Sequence, residues 1–134
     1  MKIVNPPFSE EKFWGVEDKG SWEKFPVGHT LIFRGVKKEW EQWKICQKGE
    51  IPFGVEVSSF KEAIFATNFG AKYLFTFSNK LAQILQRYVD DYLLTSRVIL
   101  IADSLEKIEE VAKMGIDGII EKTFYSSLWK NKGE

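Results

Sequence analysis

The side chains that could do chemistry in this chain stand at the ends of short apolar runs. Arg34, Glu56, Thr76, Asp103 and Lys122 each lie at or just after the end of such a run. Parallel strands bring their carboxyl ends to one edge of a sheet, which is where open α/β sheets bind ligands. We therefore predict Arg34, Thr76, Asp103 and Lys122 as ligand-binding residues. Lys122 and Glu56 are the alternative catalytic pair, since both could converge at this edge of the sheet.

The remaining reactive residues form no recognisable motif. No Ser-His-Asp set is visible around His29, the single histidine. One cysteine, Cys46, cannot build a zinc site alone, and no glycine-rich phosphate loop occurs. We predict no metal and no cofactor. Lys44 and Lys48 flank Cys46 and would lower the pKa of its thiol, but a lone helical cysteine is more often structural.

Composition limits the class of protein. The chain has 134 residues, enough for one domain, and 44% of them are hydrophobic, enough for a core. Its 19 Lys and Arg balance 19 Asp and Glu, so a broad basic face for nucleic acid is not expected. No apolar run approaches the roughly 20 residues of a membrane span, and the first residues lack the pattern of a secretory signal. We expect a cytoplasmic protein without nucleic-acid or membrane partners.

From about residue 30 the chain repeats a unit of β-rich run, turn and amphipathic helix. The predicted strands are 30–34, 53–57, 72–77, 97–102 and 117–121. The predicted helices are 36–48, one capped by Ser59, one by Ser78 or Asn79, one by Asp103 or Ser104, and a short one near 125–130. Eight such units would close a barrel of about 250 residues. The shorter chain predicts a flavodoxin-like, doubly wound, five-stranded parallel sheet of order 2-1-3-4-5.

Residues 1–28 lie outside this repeat. They are rich in aromatic side chains without a clear period: Phe8, Phe13, Trp14, Trp22 and Phe25. Disordered segments are poor in aromatic residues. We predict that residues 1–28 form an extension that packs on a single domain, 29–134, with room for one short extra strand.

A second signal lies in the sequence GIDGIIEKTF at 115–124. The pattern of Gly-Ala-Asp-Gly, an apolar pair and Lys-Pro-Phe occurs in the second half of response-regulator receiver domains, which residues 98–128 resemble. Lys122 falls on the lysine of that family, and Thr123 replaces its proline. The resemblance implies a receiver-like fold and a signalling role.

The same comparison implies that the phosphorylation chemistry is missing. Receivers hold Mg²⁺ with carboxylates after the first strand, whereas residues 34–38 read RGVKK. The phosphoacceptor position falls on Thr76 or Phe77, and the switch Thr or Ser position falls on Ala102. We therefore predict a non-catalytic pseudo-receiver that acts through a protein partner or as a homodimer. The predicted interface residues, on the face that receivers commonly use, are Leu105, Ile108, Lys122 and Phe124.

A looser resemblance supplies the alternative. Arg34, residues 55–58 and residues 70–73 are similar to stretches of the 2-keto-3-deoxy-phosphogluconate aldolase family. This implies a small phosphometabolite-binding protein or an aldolase-like enzyme working at the carboxyl edge of the sheet. The Schiff-base lysine of that family would fall on Ile120, and Lys122 comes two residues later.

Overall fold

The computed structural model describes residues 1–17, 25–34 and 39–130, which form one sheet and a set of covering helices. The strands are β1 (Lys2–Ile3), β2 (Phe13–Gly15), β3 (Thr30–Arg34), β4 (Phe53–Glu56), β5 (Tyr73–Thr76), β6 (Arg97–Ala102) and β7 (Gly118–Glu121). The helices are α1 (Trp40–Lys48), α2 (Phe60–Asn68), α3 (Asn79–Asp91), α4 (Ile108–Lys113) and α5 (Lys122–Ser127). A short 3-10 helix, Leu105–Lys107, precedes α4.

The sheet overturns the predicted fold. It is a curled, seven-stranded, all-parallel sheet of order β1-β7-β6-β5-β4-β3-β2. The prediction of a five-stranded flavodoxin-like sheet of order 2-1-3-4-5 was wrong. The five predicted strands correspond to β3 to β7, and each of these lies beside the next one along the chain.

The sequential order also removes the double winding. Right-handed crossovers that always step in the same direction place every connecting helix on the same face of the sheet. Helices α1 to α4 accordingly pack on one face, in a core that includes Trp43, Ala63, Leu85 and Val111. The opposite, concave face has its own apolar cluster, which contains Tyr73, Phe75, Ile99, Ile101, Ile120, Tyr125 and Trp129.

The amino-terminal segment is built into the sheet. Strand β1 pairs with β7 and β2 pairs with β3, so the segment supplies both edge strands. Phe13 points into the concave cluster and contacts the rings of Tyr73 and Phe75. Residues 1–17 are therefore part of the sheet itself, whereas Trp22 of the predicted extension lies outside the described residues.

Most predicted helix starts are confirmed by their caps. Ser59 Oγ accepts a hydrogen bond from the Glu62 amide at 3.2 Å, and Glu62 Oε1 accepts one from the Ser58 amide at 2.6 Å. Ser78 caps α3, and Ser104 caps the 3-10 helix. Of the first predicted helix, 36–48, residues 40–48 are helical and Glu39 is the N-cap, while residues 36–38, Val36 among them, lie outside the described residues. Helix α5 starts at Lys122, directly after β7, which is earlier than predicted.

Helix α5 covers the concave face, unlike the other helices. Its Tyr125 is fully buried, and Trp129, just beyond its end, is 8% exposed. Trp129 Nε1 donates to the Val16 carbonyl at 3.1 Å, and the Gly15 amide donates to the Leu128 carbonyl at 3.3 Å. A Cβ atom at Gly15 would overlap the Trp129 indole. The end of the chain thus closes the sheet against the edge strand β2.

Candidate functional site

The carboxyl ends of the strands form the end of the molecule at which the predicted site residues meet. Arg34 and Glu56 are register partners on β3 and β4, and Arg34 Nε lies 3.8 Å from Glu56 Oε1. Tyr125 donates a 2.6 Å hydrogen bond to the same Glu56 oxygen. The Arg34 guanidinium carbon lies 3.8 Å from the centre of the Trp129 ring, a cation–π contact. These four side chains, named here the mouth cluster, close the concave interior at its carboxyl end.

The mouth cluster satisfies its own polar groups. Burial raises the pKa of the Tyr125 hydroxyl above its ordinary value, and the charge and hydrogen bond of Glu56 raise it further. The Arg34 guanidinium offsets part of this effect. Tyr125 therefore stays protonated at neutral pH and acts as a hydrogen-bond donor to Glu56. The arrangement stabilises the mouth cluster and engages Glu56 with both Arg34 and Tyr125.

The predicted lysine is not brought into the mouth cluster. Lys122 is exposed at the first residue of α5, and within the described ranges no hydrogen bond or ion pair joins it to another side chain. Ile120, where the aldolase-like pattern would need a Schiff-base lysine, is fully buried in the concave apolar cluster. Glu56 is engaged by Arg34 and Tyr125, and a catalytic role for the pair of Lys122 and Glu56 stays a prediction.

A cavity of about 410 Å³ opens beside the mouth cluster, between the β5–α3 connection and α4. Its polar side chains are Asn79, Asp103, Lys107 and Glu110. Its apolar surface comes from Phe77, Leu100, Ile101, Ala102, Val111 and Met114. We call this feature the carboxyl-end cavity. Its volume lies within the range of small-molecule sites in proteins, about 300 to 1,000 Å³.

Two predicted ligand residues have different roles at this end. Asp103 follows β6, is exposed and lines the carboxyl-end cavity. Thr76 is buried, and its hydroxyl accepts a hydrogen bond from the Ser78 amide at 3.1 Å. Thr76 thus shapes the turn that leads into α3, and the next residue, Phe77, faces the cavity.

The predicted interface residues mostly serve the protein's own cores. Leu105 and Ile108 are half-buried and pack against the core beneath α1 to α4. Phe124 is half-buried and packs against the concave cluster. Only Lys122 of the four is exposed. The four residues therefore do not form a continuous free apolar face.

A second polar cluster closes the amino end of the concave interior. Glu11 accepts hydrogen bonds from Thr30 Oγ1 at 2.6 Å, Lys72 Nζ at 3.0 Å and the Tyr73 hydroxyl at 2.5 Å. Burial alone would raise the pKa of Glu11, but these three hydrogen bonds and the Lys72 charge outweigh it, so the pKa is lowered. Each partner favours the carboxylate, which identifies Glu11 as a structural anion.

Removing the Glu11 carboxylate is expected to weaken the fold. Glu11→Ala leaves the hydroxyl of the buried Tyr73 without its acceptor and should cost about 2 to 3 kcal/mol at pH 7. Since the pKa of Glu11 is lower in the folded chain, its contribution is present above the ordinary value and is lost as the pH falls through the folded value. Urea unfolding between pH 3 and 7 tests this. A difference between the wild type and the variant that does not shrink toward pH 3 would contradict the assignment.

Cys46 carries no reactive site. It is fully buried in α1, and burial raises the pKa of its thiol to about 12. The thiol is therefore protonated at neutral pH and serves as a small apolar core group. The structural interpretation of this residue holds, and its lysine neighbours do not activate it.

Several residues of this end were not found from the sequence. Phe77, Asn79, Lys107 and Glu110 line the carboxyl-end cavity together with the predicted Asp103. Phe77 was predicted as the last residue of the strand 72–77, whereas β5 ends at Thr76 and leaves Phe77 at the cavity. Lys107 and Glu110 look like ordinary solvated helix residues and gave no signal of a cavity.

Comparison with known proteins identifies no relative: no protein-family model matches the chain, and no curated protein matches it. Within residues 1–17, 25–34 and 39–130, no three His, Cys, Asp or Glu side chains gather to hold a metal ion. The helices in those ranges are too short or too polar to cross a membrane. The function is therefore inferred from the geometry of the residues at the carboxyl ends of the strands.

Proposed function

We propose that the protein binds a small molecule non-covalently in the carboxyl-end cavity. The observation that carries this proposal is the cavity itself, which is lined by four polar side chains and by the 50% exposed Phe77. Clefts in which a few polar groups converge beside apolar side chains are the usual form of ligand sites. The carboxyl ends of parallel strands are also the end at which such folds bind ligands.

Phe77 suggests the shape of the ligand. Its ring lies edge-on to Tyr125, with centres 6.1 Å apart and planes at 85°, while half of its surface stays open. Tyr125 is buried and hydrogen-bonded, so it supports the Phe77 ring from the protein side. A planar, aromatic ligand can stack on the open side of such a ring.

The charges around the cavity suggest the polarity of the ligand. Asp103 and Glu110 supply two negative charges, and Lys107 supplies one positive charge among the described lining residues. Arg34 does not line the cavity and is already paired with Glu56. A phosphorylated metabolite would meet a net negative wall, whereas a neutral or cationic ring would not. The ligand class that fits is an uncharged or amino-bearing planar molecule.

Ligand binding can be tested with three probes: adenosine as a neutral ring, tryptamine as a cationic ring and glucose 6-phosphate as a sugar phosphate. We expect the two ring compounds to raise the melting temperature and the sugar phosphate to leave it unchanged. Phe77→Ala should weaken ring binding about tenfold, because stacking on one aromatic side chain contributes about 1 to 3 kcal/mol. Isothermal titration calorimetry measures this change.

Two further variants sharpen the test. Asp103→Asn should weaken tryptamine several-fold and leave adenosine unchanged, since only the cationic probe interacts with the lost charge. Phe8→Ala removes another exposed aromatic ring, away from the cavity lining, and should change neither affinity. A flat response to all three probes at millimolar concentration, or a response to glucose 6-phosphate alone, would refute the proposal.

The receiver-like hypothesis has less support at this end of the molecule. Its predicted face has Leu105 and Ile108 packed inside the protein, and the sheet lacks the strand order on which the hypothesis depended. The aldolase-like alternative lacks a lysine in the concave interior, where Ile120 lies. The proposed binding of a small molecule keeps the predicted location at the carboxyl edge of the sheet, and it requires neither phosphorylation nor a Schiff-base lysine.

A further inference from the structure

Helices α2 and α3 carry an apolar surface that no described part of the chain covers. The exposed fractions of its side chains include 42% for Ile84 and 71% for Tyr92, and Phe60 and Ile64 are also exposed. Three rings run in series across it, with centres 5.1 Å apart for Phe60 and Tyr88 and 5.3 Å apart for Tyr88 and Tyr92. We call this surface the α2–α3 face. Contiguous exposed apolar surface of this kind marks a site of protein association.

The face is held in shape by the protein itself. Tyr88 forms a 3.0 Å hydrogen bond between its hydroxyl and Thr67 Oγ1, which joins α3 to α2. Ile64 lies one helical turn after Phe60, and Ile84 lies one turn before Tyr88, so both isoleucines flank the row of rings. A preformed surface needs little reordering when a partner docks.

The charges along α3 indicate which partner fits. Lys80, Ile84, Arg87 and Asp91 follow at intervals of four, three and four residues, which places them on one side of the helix. This row of four residues therefore has a cation, Lys80, at its amino end and an anion, Asp91, at its carboxyl end. The Arg87–Asp91 ion pair is 3.7 Å long between two well-exposed side chains, so it is weak and can exchange partners.

We propose that a second copy of this chain docks on the α2–α3 face, with the two α3 helices antiparallel. A two-fold axis between Ile84 and Arg87 places Lys80 of each copy opposite Asp91 of the other. Twofold contacts use the same patch on both copies and need this self-complementarity. A parallel arrangement would instead place lysine against lysine. The proposal is independent of ligand binding, because none of these side chains lines the carboxyl-end cavity.

Sedimentation equilibrium between about 1 and 200 µM tests the dimer. The wild type should be a dimer at the upper end of this range. Ile84→Lys should weaken association at least about tenfold, because the antiparallel arrangement places the new cation against Arg87 of the other copy. Gln83→Lys adds the same charge to an exposed neighbouring position outside the set of Lys80, Ile84, Arg87 and Asp91 and should leave association unchanged. Circular dichroism establishes that each variant is folded.

A charge exchange tests the antiparallel arrangement. Lys80→Asp and Asp91→Lys should each weaken the dimer, and the double variant should recover most of the wild-type affinity. A monomeric wild type at 200 µM, or an Ile84→Lys protein that dimerises as tightly as the wild type, would overturn the proposed interface. A double variant weaker than either single variant would overturn the antiparallel arrangement.

Discussion

Replacing Trp129 with alanine is expected to lower the free energy of unfolding by about 3 to 5 kcal/mol, the usual cost of removing a large buried aromatic side chain. Trp129 contacts the Tyr125 ring, with centres 5.0 Å apart, and donates to the Val16 carbonyl. It also supports the Arg34 guanidinium. The variant would lose these contacts together and open a gap beside the edge strand β2. Urea unfolding at neutral pH measures the cost.

Gly15 makes this prediction specific. Because a Cβ at Gly15 would overlap the Trp129 indole, Gly15→Ala should cost about 1 to 3 kcal/mol in the wild type. In the Trp129→Ala background the same change should cost less than about 0.5 kcal/mol, since the opposing ring is gone. A double-mutant cycle measures that coupling.

Phe8→Ala provides the control for Trp129→Ala, because Phe8 is aromatic and exposed. Its replacement should change the unfolding free energy by less than about 0.5 kcal/mol. A Trp129→Ala cost below about 1 kcal/mol, or additive costs in the Gly15 cycle, would show that the end of the chain does not close the sheet.

Alkaline pH is expected to destabilise the protein steeply. Burial raises the pKa values of Tyr73 and Tyr125, and hydrogen bonding and charge from Glu11 and Glu56 add to the effect. Above pH 10, both tyrosines ionise in the unfolded chain while they remain protonated in the folded chain. The folded state then holds two more protons, so the unfolding free energy falls by about 2.7 kcal/mol per pH unit from this pair. Below pH 10 the contribution is constant.

Tyr125→Phe separates this effect from the titration of other groups. At pH 8 the variant should be about 1 to 2 kcal/mol less stable, because Glu56 loses its hydrogen-bond donor. As the pH rises above 10 the difference should shrink and then reverse, because the variant lacks one of the two tyrosines whose ionisation favours the unfolded chain. Tyr92→Phe, at an exposed tyrosine, controls for loss of a hydroxyl group. A difference between Tyr125→Phe and the wild type that is constant from pH 8 to 11.5 would contradict the assigned burial.

The five strands and their helices could be predicted because local patterns specify them. Apolar runs, glycines and serine caps occur at the right spacing, as at Ser59 and Ser78, and these signals act within a few residues. The order of the strands depends on which neighbour each crossover reaches. Strand β5 shows why the order could not be predicted. Tyr73, Leu74 and Phe75 are all buried, and strands of any parallel sheet covered on both sides share this pattern, whatever their order.

The two edge strands and α5 explain the remaining error in the fold. Strand β1 has only two residues, Lys2–Ile3, too few for any alternation to appear. Tyr125 and Trp129 are four residues apart, which does mark an apolar helical face. The spacing cannot say that this face enters the concave side of a curled sheet. Helix α5 could be assigned to the concave face only once the sequential order of the strands was established.

Only the site residues that lie at the end of a strand could be predicted, because the end of the strand by itself fixes where such a residue lies. Arg34 and Glu56 were both expected at the carboxyl edge, and adjacent strands in register bring them together. The pairing of Glu56 with Tyr125 joins side chains 69 residues apart, and the carboxyl-end cavity is formed between two separate β–α units. Contacts of this range depend on the strand order, which local sequence patterns did not contain.

The most direct test of the sequential sheet, and of the packing of Trp129 against its edge strand β2, is a nuclear Overhauser spectrum of the isotope-labelled protein. The account predicts cross-peaks from the Trp129 indole protons to the Gly15 α-protons, and from the Phe13 ring to the Phe75 ring. These contacts join the end of the chain to β2 and β2 to the middle of the sheet. Assigned spectra without both sets of cross-peaks would contradict it.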